Sequence, residues 1–254
     1  MEPVKEVKLS ECPYCGKKQI IFDKKIGNFH VRVPVFDCKC LDIIEERKEQ
    51  ERIERIKSKR MQELFNNSLM TPFFQTKTFE NLKAGKYFDE CQHYAETFDP
   101  ITSKGIQMIG NVGTGKTTLL AAICNNLLSK GYKCLFTTLS DLLGKFTQYS
   151  STNAGDITHL LHWLTEFDFV CLDDIGRETY TDKRKEIAFQ IIDRLLNYKV
   201  VTAFTANPEM IEKLKQIPEM NAALDRLKEM CPLRFEFRGE SMRGKLLTDK
   251  GEIK

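Results

Sequence analysis

A glycine-rich segment in the middle of the chain has the spacing of a phosphate-binding loop. Residues 110–117 read GNVGTGKT and match the P-loop pattern GxxxxGK[ST] in full. Glycines let successive backbone N–H groups point at phosphate oxygens, and the N-terminus of a following helix favours negative charge. Lys116 is spaced to reach the β- and γ-phosphates of ATP or GTP, and the Thr117 hydroxyl to ligate Mg²⁺. The alternative is a glycine-rich turn that binds no ligand. The predicted nucleotide-binding residues are Gly110, Asn111, Val112, Gly113, Thr114, Gly115, Lys116, Thr117 and Thr118.

Two carboxylates follow an apolar stretch about fifty residues later. Residues 167–174 read FDFVCLDD, the pattern of a buried strand that ends in acidic residues. Asp173, at the end of the strand, suits a Mg²⁺ contact, and Asp174 could polarise an attacking water. The alternative is that both residues only begin a turn before Gly176. Behind an intact phosphate loop, the pair favours nucleotide hydrolysis.

Four of the nine cysteines lie within the first 40 residues. Cys12 and Cys15 form one pair and Cys38 and Cys40 another, with 22 residues between the pairs. Paired thiolates suit tetrahedral Zn²⁺, and a segment of this length has too little core to fold unaided. His30 is an alternative ligand if the tight second pair cannot bind through both thiols. A redox pair or unrelated thiols are the other interpretations of these cysteines.

Alternating strands and helices position the phosphate loop and the carboxylates. Strands are predicted at 106–109, 134–137, 169–172, 200–205 and 233–237, and helices at 116–129, as a pair within 140–167, at 185–198 and at 222–230. Strands separated by helices of 10 to 15 residues indicate βαβ units. The fold class is therefore α/β, with a five-stranded parallel sheet.

A charged segment separates the cysteines from this alternating region. Residues 41–66 contain neither glycine nor proline and carry seven basic and seven acidic side chains. Opposite charges recur three and four residues apart, which predicts a solvent-exposed helix. We therefore expect three parts: a zinc-binding module at 1–40, a charged helical linker at 41–74 and an ATPase domain at 75–254.

Composition excludes several classes of protein. The chain has 254 residues, of which 41% are hydrophobic and 30% charged, so it can form a packed core. No apolar run approaches the ~18 to 20 residues of a membrane span, and no signal-peptide stretch begins the sequence. We expect a cytoplasmic protein without a membrane partner. The formal net charge of +3 is too small to indicate a nucleic-acid partner by itself.

The motifs together resemble a known family. After the phosphate loop come LDDIG at 172–176, TAN at 205–207, LDRL at 224–227 and SMR at 241–243. This order resembles the AAA+ ATPases of the DnaC/DnaI type, the bacterial and phage replicative-helicase loaders, and the related IstB transposition helpers share much of the core. The resemblance covers roughly residues 70–250 and implies an AAA+ P-loop core with helices on both faces of its sheet.

The resemblance also implies roles for single residues. Asn207 matches the polar sensor that positions the attacking water, although an Asn-Pro turn with Pro208 is the alternative. Arg226 matches the arginine finger that enters a neighbouring subunit's ATP site. Its alternative is a surface residue paired with Glu229. Arg243 matches the terminal arginine of the family, which touches nucleotide.

Two departures from the family pattern bear on activity. Asp174 stands where many AAA+ proteins have the longer glutamate, so we expect slow, partner-stimulated turnover. Only 17 residues follow Phe237, too few for the usual helical lid. The expected core therefore has no C-terminal lid domain, and stable ATP binding depends on self-association through the ATP site.

The resemblance also implies contacts with single-stranded DNA. In loaders of this type, the helices before the acidic strand and the segment just after it are thought to make these contacts, and two stretches of this chain match those segments. These are residues 140–167 and 177–185, the second reading RETYTDKRK. Basic and aromatic side chains together suit phosphate neutralisation and base stacking. The candidates are Phe146, Tyr180, Lys183 and Arg184, with a place in the core as the alternative for Phe146.

The resemblance implies a helicase loader that uses ATP, Mg²⁺ and Zn²⁺. Its expected partners are a hexameric DnaB-type replicative helicase, bound through the N-terminal module, and single-stranded DNA during replication initiation. One alternative is an IstB-like transposition helper on duplex DNA. Another is a zinc adaptor that does not hydrolyse ATP. A small-molecule kinase would share the phosphate loop but not the TAN and DRL motifs.

Overall fold

A computed structural model describes residues 10–26, 29–36, 38–153, 156–239 and 241 of the chain. The chain separates into two units, Met1–Lys59 and Arg60–Lys254. The boundary between them falls inside the charged segment. Within the described residues, no helix combines the length and apolar character that crossing a membrane requires.

The first unit contains an antiparallel hairpin of strands β1 (Gln19–Ile26) and β2 (Phe29–Phe36). A tighter turn precedes it, closed by an isolated bridge between Glu11 and Lys18. In that turn the Gly16 N–H donates to the Cys12 carbonyl at 2.9 Å. Gly16 has φ +70°, a conformation that glycine adopts without steric cost. This geometry brings Cys12 and Cys15 together.

The charged segment forms helix α1 (Cys40–Asn67), which confirms the helix predicted at 41–66. Its surface carries ion pairs at helical spacing, such as Arg52 to Glu49 at 2.6 Å. The last turns have a different environment, because Leu64 and Phe65 pack against the core of the second unit. The end of the helix is therefore part of the globular fold of that unit.

The second unit is built on a five-stranded sheet. Its strands are β3 (Ile106–Gly110), β4 (Cys134–Thr138), β5 (Phe169–Ile175), β6 (Val201–Ala206) and β7 (Leu233–Phe237). They lie in the order β4-β5-β6-β3-β7, and every neighbouring pair is parallel. The predicted parallel sheet is confirmed. Because β6 lies between β3 and β5, the end of β6 lies between the loop that follows β3 and the acidic end of β5.

Helices cover both faces of the sheet. They are α2 (Pro72–Gln75), α3 (Phe88–Glu96), α4 (Lys116–Ser129), α5 (Leu139–Thr152), α6 (Thr158–Leu164), α7 (Asp182–Asn197), α8 (Pro208–Lys215) and α9 (Pro218–Met230). Successive residues of β5 alternate between two cores: Val170 packs with α5, α6, α7 and α9, and Cys171 with α3 and α4. This two-sided burial explains why the strands read as nearly continuous apolar runs.

Several helix starts differ from the prediction, and proline is the reason in two of them. Helix α7 begins at Asp182, three residues before its predicted start, with Thr181 as its cap, and helices α2 and α3 were not predicted. Helix α8 was missed because Asn207 and Pro208 suggested a turn. Asn207 instead caps the helix by accepting the Glu209 N–H at 3.0 Å, and Pro208 occupies the first turn. Helix α9 begins at Pro218, four residues before the predicted start. Proline is favoured at this position because the first N–H groups of a helix have no partner within the helix.

The segment before β3 is held to the phosphate-loop helix by one buried amide. Asn125, on α4, donates through Nδ2 to the carbonyls of Phe74 and Lys77, at 2.8 and 2.7 Å. The side chain of Phe79 is also buried in this core. The segment therefore supports the back of helix α4, whose first turn forms the phosphate site.

Candidate nucleotide site and cysteine cluster

The loop between β3 and α4 has the backbone that its glycines permit. Gly113 and Gly115 have φ of +79° and +92°. A Cβ at Gly113 would collide with the side chain of Ser241, and one at Gly110 with the backbone of Phe237. Glycine is therefore required at 110 and 113 for close approach, and the C-terminal strand lies directly behind the loop.

Lys116 begins α4, and its side chain lies along the loop. The residue is 8% exposed, and Nζ donates to the carbonyls of Gly110 at 2.8 Å and Asn111 at 2.7 Å. A lysine held in this way keeps its charge inside the turn of the loop. An ammonium group at that position can bind phosphate oxygens.

The Asp173 carboxylate is the buried acid of the site. Its Oδ1 accepts from the Thr117 hydroxyl at 2.9 Å and from the Thr205 hydroxyl at 2.6 Å. Burial raises the pKa of Asp173, and the two hydroxyl donors act in the opposite direction. Thr117 and Asp173 come from different elements, α4 and β5, so the fold itself brings these two oxygen donors together. Such a pair suits Mg²⁺, which prefers oxygen ligands.

Asp174 has an unusual backbone conformation for a residue with a side chain. Its φ is +57°, and the ladder between β5 and β6 is irregular between Leu172 and Ile175. The Asp174 N–H donates to Thr205 Oγ1 at 2.8 Å, and its carboxylate pairs with Arg177 Nε at 2.9 Å. The Thr205 hydroxyl therefore contacts both acidic residues and fixes the turn that carries Asp174.

Most of these residues line one pocket with a volume of about 230 Å³. Gly110, Asn111 and Asp173 are not among its lining residues, and Asp173 is bonded to two residues that are, Thr117 and Thr205. The pocket lining includes the predicted residues Val112, Gly113, Thr114, Gly115, Lys116, Thr117, Thr118, Asp174 and Asn207. Thr205 and Arg177 line it as well. From the sequence, Thr205 was identified only as part of the TAN motif at 205–207, and Arg177 only as part of the stretch 177–185. Neither residue was predicted to line the nucleotide pocket.

Asn207 caps a helix where the sequence suggested a turn, and it lies where the predicted sensor role requires. Its side chain caps α8, and the residue also lines the pocket at the end of β6. The Asn-Pro sequence therefore begins a helix while it places an amide beside the phosphate loop. Its action on a water molecule stays a prediction.

The Thr205 hydroxyl gives the first test of this geometry. Thr205→Val keeps the shape of the side chain but removes the bonds to Asp173 and to the Asp174 N–H. We expect ATP turnover to fall about 10- to 100-fold with little change in ATP affinity, because a buried carboxylate loses a donor and the turn loses its anchor, at a cost of about 1–3 kcal/mol each.

The matched control is Thr202→Val on the same strand, whose hydroxyl donates to the Val200 carbonyl at 2.9 Å. Because Thr202 does not line the pocket, we expect this variant to keep ATP turnover within about twofold of that of the unsubstituted protein. Equal losses in the two variants would contradict a specific role for Thr205. Steady-state phosphate release measures both.

The four N-terminal cysteines lie together. One sulfur from each of Cys12, Cys15, Cys38 and Cys40 falls within 4.8 Å of every other. Tetrahedral zinc with Zn–S bonds of about 2.3 Å would place its sulfurs ~3.8 Å apart, so the donor set fits this metal. The backbone N–H groups of Tyr14 and Cys15 lower the pKa of the Cys12 thiol to about 7, whereas the Cys15 side chain and burial raise the pKa of Cys40 to about 12. One thiolate therefore forms readily, and binding of a metal would displace the other thiol protons.

His30 lies outside this cluster. Its Nδ1 is 3.1 Å from Asp23 Oδ1 on the neighbouring strand. The second cysteine pair contributes both of its sulfurs despite the tight spacing. Among the described residues, the cluster is therefore formed by cysteines alone, and the histidine alternative has no support.

Comparisons with known proteins agree with the site. A family model described as IstB-like ATP binding protein matches residues 40–249. The chain belongs to this family. It is 31% identical to the replicative helicase loader DnaC of Escherichia coli K12 over 192 residues. The aligned region covers 74% of this chain and 77% of that protein. The matched range begins at Cys40, so three of the four clustered cysteines precede it.

Solved structures support the fold of this IstB-like ATP-binding protein. The crystal structure of the DnaC helicase loader superposes with a TM-score of 0.56 at 20% identity, over 67% of this chain and 100% of that one. The crystal structure of DnaI gives 0.54 at 20% identity, over 69% and 95%. The AAA+ P-loop core predicted from the sequence is confirmed.

Arg226 of this family member lies away from the pocket of its own chain. It belongs to α9, pairs through Nε with Asp193 Oδ1 at 3.0 Å, and stacks over the Phe189 ring at 4.3 Å. The partner is thus Asp193 on α7 and not Glu229. A half-buried, oriented guanidinium is compatible with a role in a neighbouring subunit, which stays a prediction.

The predicted nucleotide contact of Arg243 lies outside the described residues. Ser241, two residues earlier, is described, and its side chain lies against Gly113 of the phosphate loop. The Asn111 side chain also approaches the Gly239 carbonyl at 3.5 Å. The chain after β7 therefore passes beside the pocket.

Of the four predicted DNA contacts, Phe146 is wrong. Its side chain is fully buried in the core formed with α6 and α7, because it follows Leu139, Leu142 and Leu143 at helical spacing. Tyr180 is half-buried, and its hydroxyl donates to Glu178 Oε2 at 2.6 Å. Lys183 is exposed at the start of α7, and Arg184 is half-buried beside it. The contacts of Tyr180, Lys183 and Arg184 with DNA stay predictions.

Proposed function

We propose that this chain is an ATP-dependent helicase loader, which binds a hexameric DnaB-type replicative helicase and delivers it onto single-stranded DNA. Two observations carry the proposal. The chain is 31% identical to DnaC over 74% of its length. One pocket also brings together the phosphate loop, Asp174 at the acidic strand end and Asn207. In this proposal residues 1–40 dock on the helicase and 75–254 hydrolyse ATP. Of the predicted linker 41–74, the part before Arg60 would connect the two, because Leu64 and Phe65 pack in the core of the second unit.

The pocket residues divide the work of ATP hydrolysis. Lys116 and the loop N–H groups bind the β- and γ-phosphates. Thr117 and Asp173 would hold Mg²⁺, which neutralises phosphate charge when it is bound. Asp174 and Asn207 orient the water. The water oxygen bonds to the γ-phosphorus as the bond to the bridging oxygen of ADP breaks; one water proton stays on the phosphate and the other leaves to solvent.

The neighbouring subunit completes this site in the proposed assembly. Arg226 from one chain would stabilise the charge that develops on the γ-phosphate bound by another. It is already oriented by Asp193 and Phe189, so little conformational freedom is lost on entry. Turnover then depends on self-association, and we expect it to increase with protein concentration.

The hairpin of the first unit offers a surface for the helicase. Ile20, Phe22, Val31 and Val33 lie on one face of β1 and β2, and Phe22 is 55% and Val33 45% exposed. The opposite face is mixed: Asp23 bonds to His30 and Arg32 at 3.1 Å each, and Ile21 on the same face is 47% exposed. Exposed apolar patches on soluble proteins mark interaction sites, so the apolar face is the proposed docking surface.

Serine substitutions test this docking surface. The double variant Phe22→Ser with Val33→Ser is expected to lose the complex with its cognate helicase, measured by size-exclusion chromatography with light scattering. Removing two large apolar side chains from an interface centre costs about 2–4 kcal/mol or more, which is at least a ~30-fold loss of affinity.

The control is Arg32→Ser on the opposite face of the hairpin, which should retain the complex. The double variant must also keep its bound zinc, so that loss of folding is separated from loss of contact. Unchanged helicase binding by a zinc-loaded double variant would contradict the docking surface. Absence of any complex with the unsubstituted chain would contradict the loader proposal itself.

A second candidate is favoured by the family match. The family is described as IstB-like ATP binding protein, and the alternative that the sequence resemblance implies is a transposition helper that acts on duplex DNA. Such a protein would form ATP-dependent filaments on duplex DNA, visible by electron microscopy. The cysteine cluster, most of which precedes the matched range, favours the loader because it adds a separate docking module.

A further inference from the structure

Arg177 follows the acidic strand end and turns back over the same pocket. The turn that carries it contains two residues with positive φ, Asp174 at +57° and Gly176 at +101°. A Cβ at Gly176 would meet the side chain of Met210 on α8 at 2.6 Å, so glycine is required for this close approach. The direction in which Arg177 leaves the turn is therefore set by packing against α8.

A buried acid holds the turn from the other side. Glu178 is 9% exposed, and its Oε2 accepts from the Gly176 N–H at 2.8 Å and from the Tyr180 hydroxyl at 2.6 Å. Burial raises the pKa of Glu178, and the two donors compensate in part. The loop after β5 is thus anchored on both sides of Arg177.

The consequence is an ion pair inside the nucleotide pocket. Arg177 Nε lies 2.9 Å from Asp174 Oδ2, and both residues line the pocket with Lys116. A carboxylate oxygen that accepts from a guanidinium is occupied and partly neutralised, so it is less able to accept from a water molecule. The side chains are 50% and 35% exposed, and pairs with this exposure break readily.

We propose that Arg177 restrains Asp174, and that this ion pair keeps ATP turnover of the isolated chain low. The inference rests on the proposed ATP hydrolysis and names a positioning residue that acts through Asp174. When the pair opens, the carboxylate is free to orient the water whose oxygen bonds to the γ-phosphorus as the bond to ADP breaks.

Removing the guanidinium is the direct test. At saturating Mg·ATP, Arg177→Ala is expected to raise kcat about fivefold, the ratio expected when an exposed ion pair no longer has to open. The same change in an Asp174→Asn background should have no effect, because the restrained carboxylate is absent. Affinity for a fluorescent ATP analogue shows that each variant keeps a folded pocket.

The dependence of kcat on salt concentration distinguishes the proposed restraint from a purely structural role of Arg177. Raising potassium chloride from about 50 to 500 mM screens exposed ion pairs, so kcat of the unsubstituted chain should rise while that of Arg177→Ala stays level. The matched control is Arg52→Ala, which removes another exposed Arg–carboxylate pair with i,i+3 spacing, on α1. It should change neither kcat nor its dependence on salt.

The outcomes separate the two proposals. A lower or unchanged kcat in Arg177→Ala, with turnover that still depends on Asp174, overturns the restraint and leaves ATP hydrolysis standing; a fall would instead make Arg177 a ligand of the phosphate. A rise that persists in the Asp174→Asn background also overturns it. Absence of turnover in every variant overturns ATP hydrolysis and the restraint together.

Discussion

Replacing Lys116 by alanine is expected to lower ATP turnover at least about 100-fold and to weaken ATP binding. Lys116 is 8% exposed, and its Nζ is held between the carbonyls of Gly110 and Asn111 at the turn of the loop. No other lysine or arginine among the pocket residues of the described chain, apart from Arg177, can replace this charge. Loss of one fixed donor to a transferring phosphoryl group costs about 10²–10³ in rate.

Lys130→Ala is the matched control. Lys130 follows the other end of the same helix, and its Nζ also donates to two carbonyls, of Ala95 at 2.7 Å and Glu96 at 3.0 Å. Both variants lose a carbonyl-bound ammonium at one end of α4, but only Lys116 borders the phosphate site. Similar kinetics for the two variants, measured by phosphate release and by ATP titration, would refute the assignment of the pocket.

The zinc ion predicted for the cysteine cluster is expected to keep the first unit folded. We expect one zinc ion per chain, reduced to about none by Cys12→Ser or by a strong chelator. Structural zinc contributes about 10–16 kcal/mol of apparent binding free energy in small domains, more than a hairpin and a helix of this size can replace. Protease should then cleave within residues 10–59, and helicase binding should be lost, while ATP binding by the second unit persists.

Cys91→Ala controls for loss of a thiol. Cys91 is fully buried in the core of the second unit, and burial raises the pKa of its thiol to about 12, so it is a poor metal ligand. This variant should keep its zinc. Elemental analysis with limited proteolysis measures both effects. A metal-free chain whose first unit resists protease as well as the zinc-loaded chain would contradict a structural metal.

Much of the fold could be predicted because its signals are local. The predicted strands match β3, β4 and β7 within one residue, and helix α4 matches its predicted bounds. Buried parallel strands read as apolar runs, and the phosphate loop fixes where a strand ends and a helix begins. Helix α8 was missed because proline signals a turn as strongly as the start of a helix.

The nucleotide site was predicted as far as its residues belong to motifs. Lys116, Thr117 and Asp174 meet in space as their motifs require. Thr205 and Arg177 gain their roles from the position of β6 between β3 and β5 and from the packing of the turn, and a lone threonine or arginine carries no sign of either.

The predicted contacts with other molecules were harder to assign from sequence. Phe146 lies at helical spacing from the other buried residues of α5, and its side chain is fully buried, so it cannot contact DNA. Arg226 is a different case, because its proposed target belongs to another chain. Its pairing with Asp193 describes how the side chain is held and does not depend on that target.

Loading of a ring-shaped helicase onto closed circular single-stranded DNA tests the central claim most directly. A circle has no free end, so a hexameric helicase can encircle it only if its ring is opened. We predict that the cognate helicase is retained on the circle at high salt when the chain and ATP are both present, and that Lys116→Ala loses this retention. Equal retention without the chain, or ATP-dependent coating of duplex DNA with no effect on the helicase, would contradict the loader assignment.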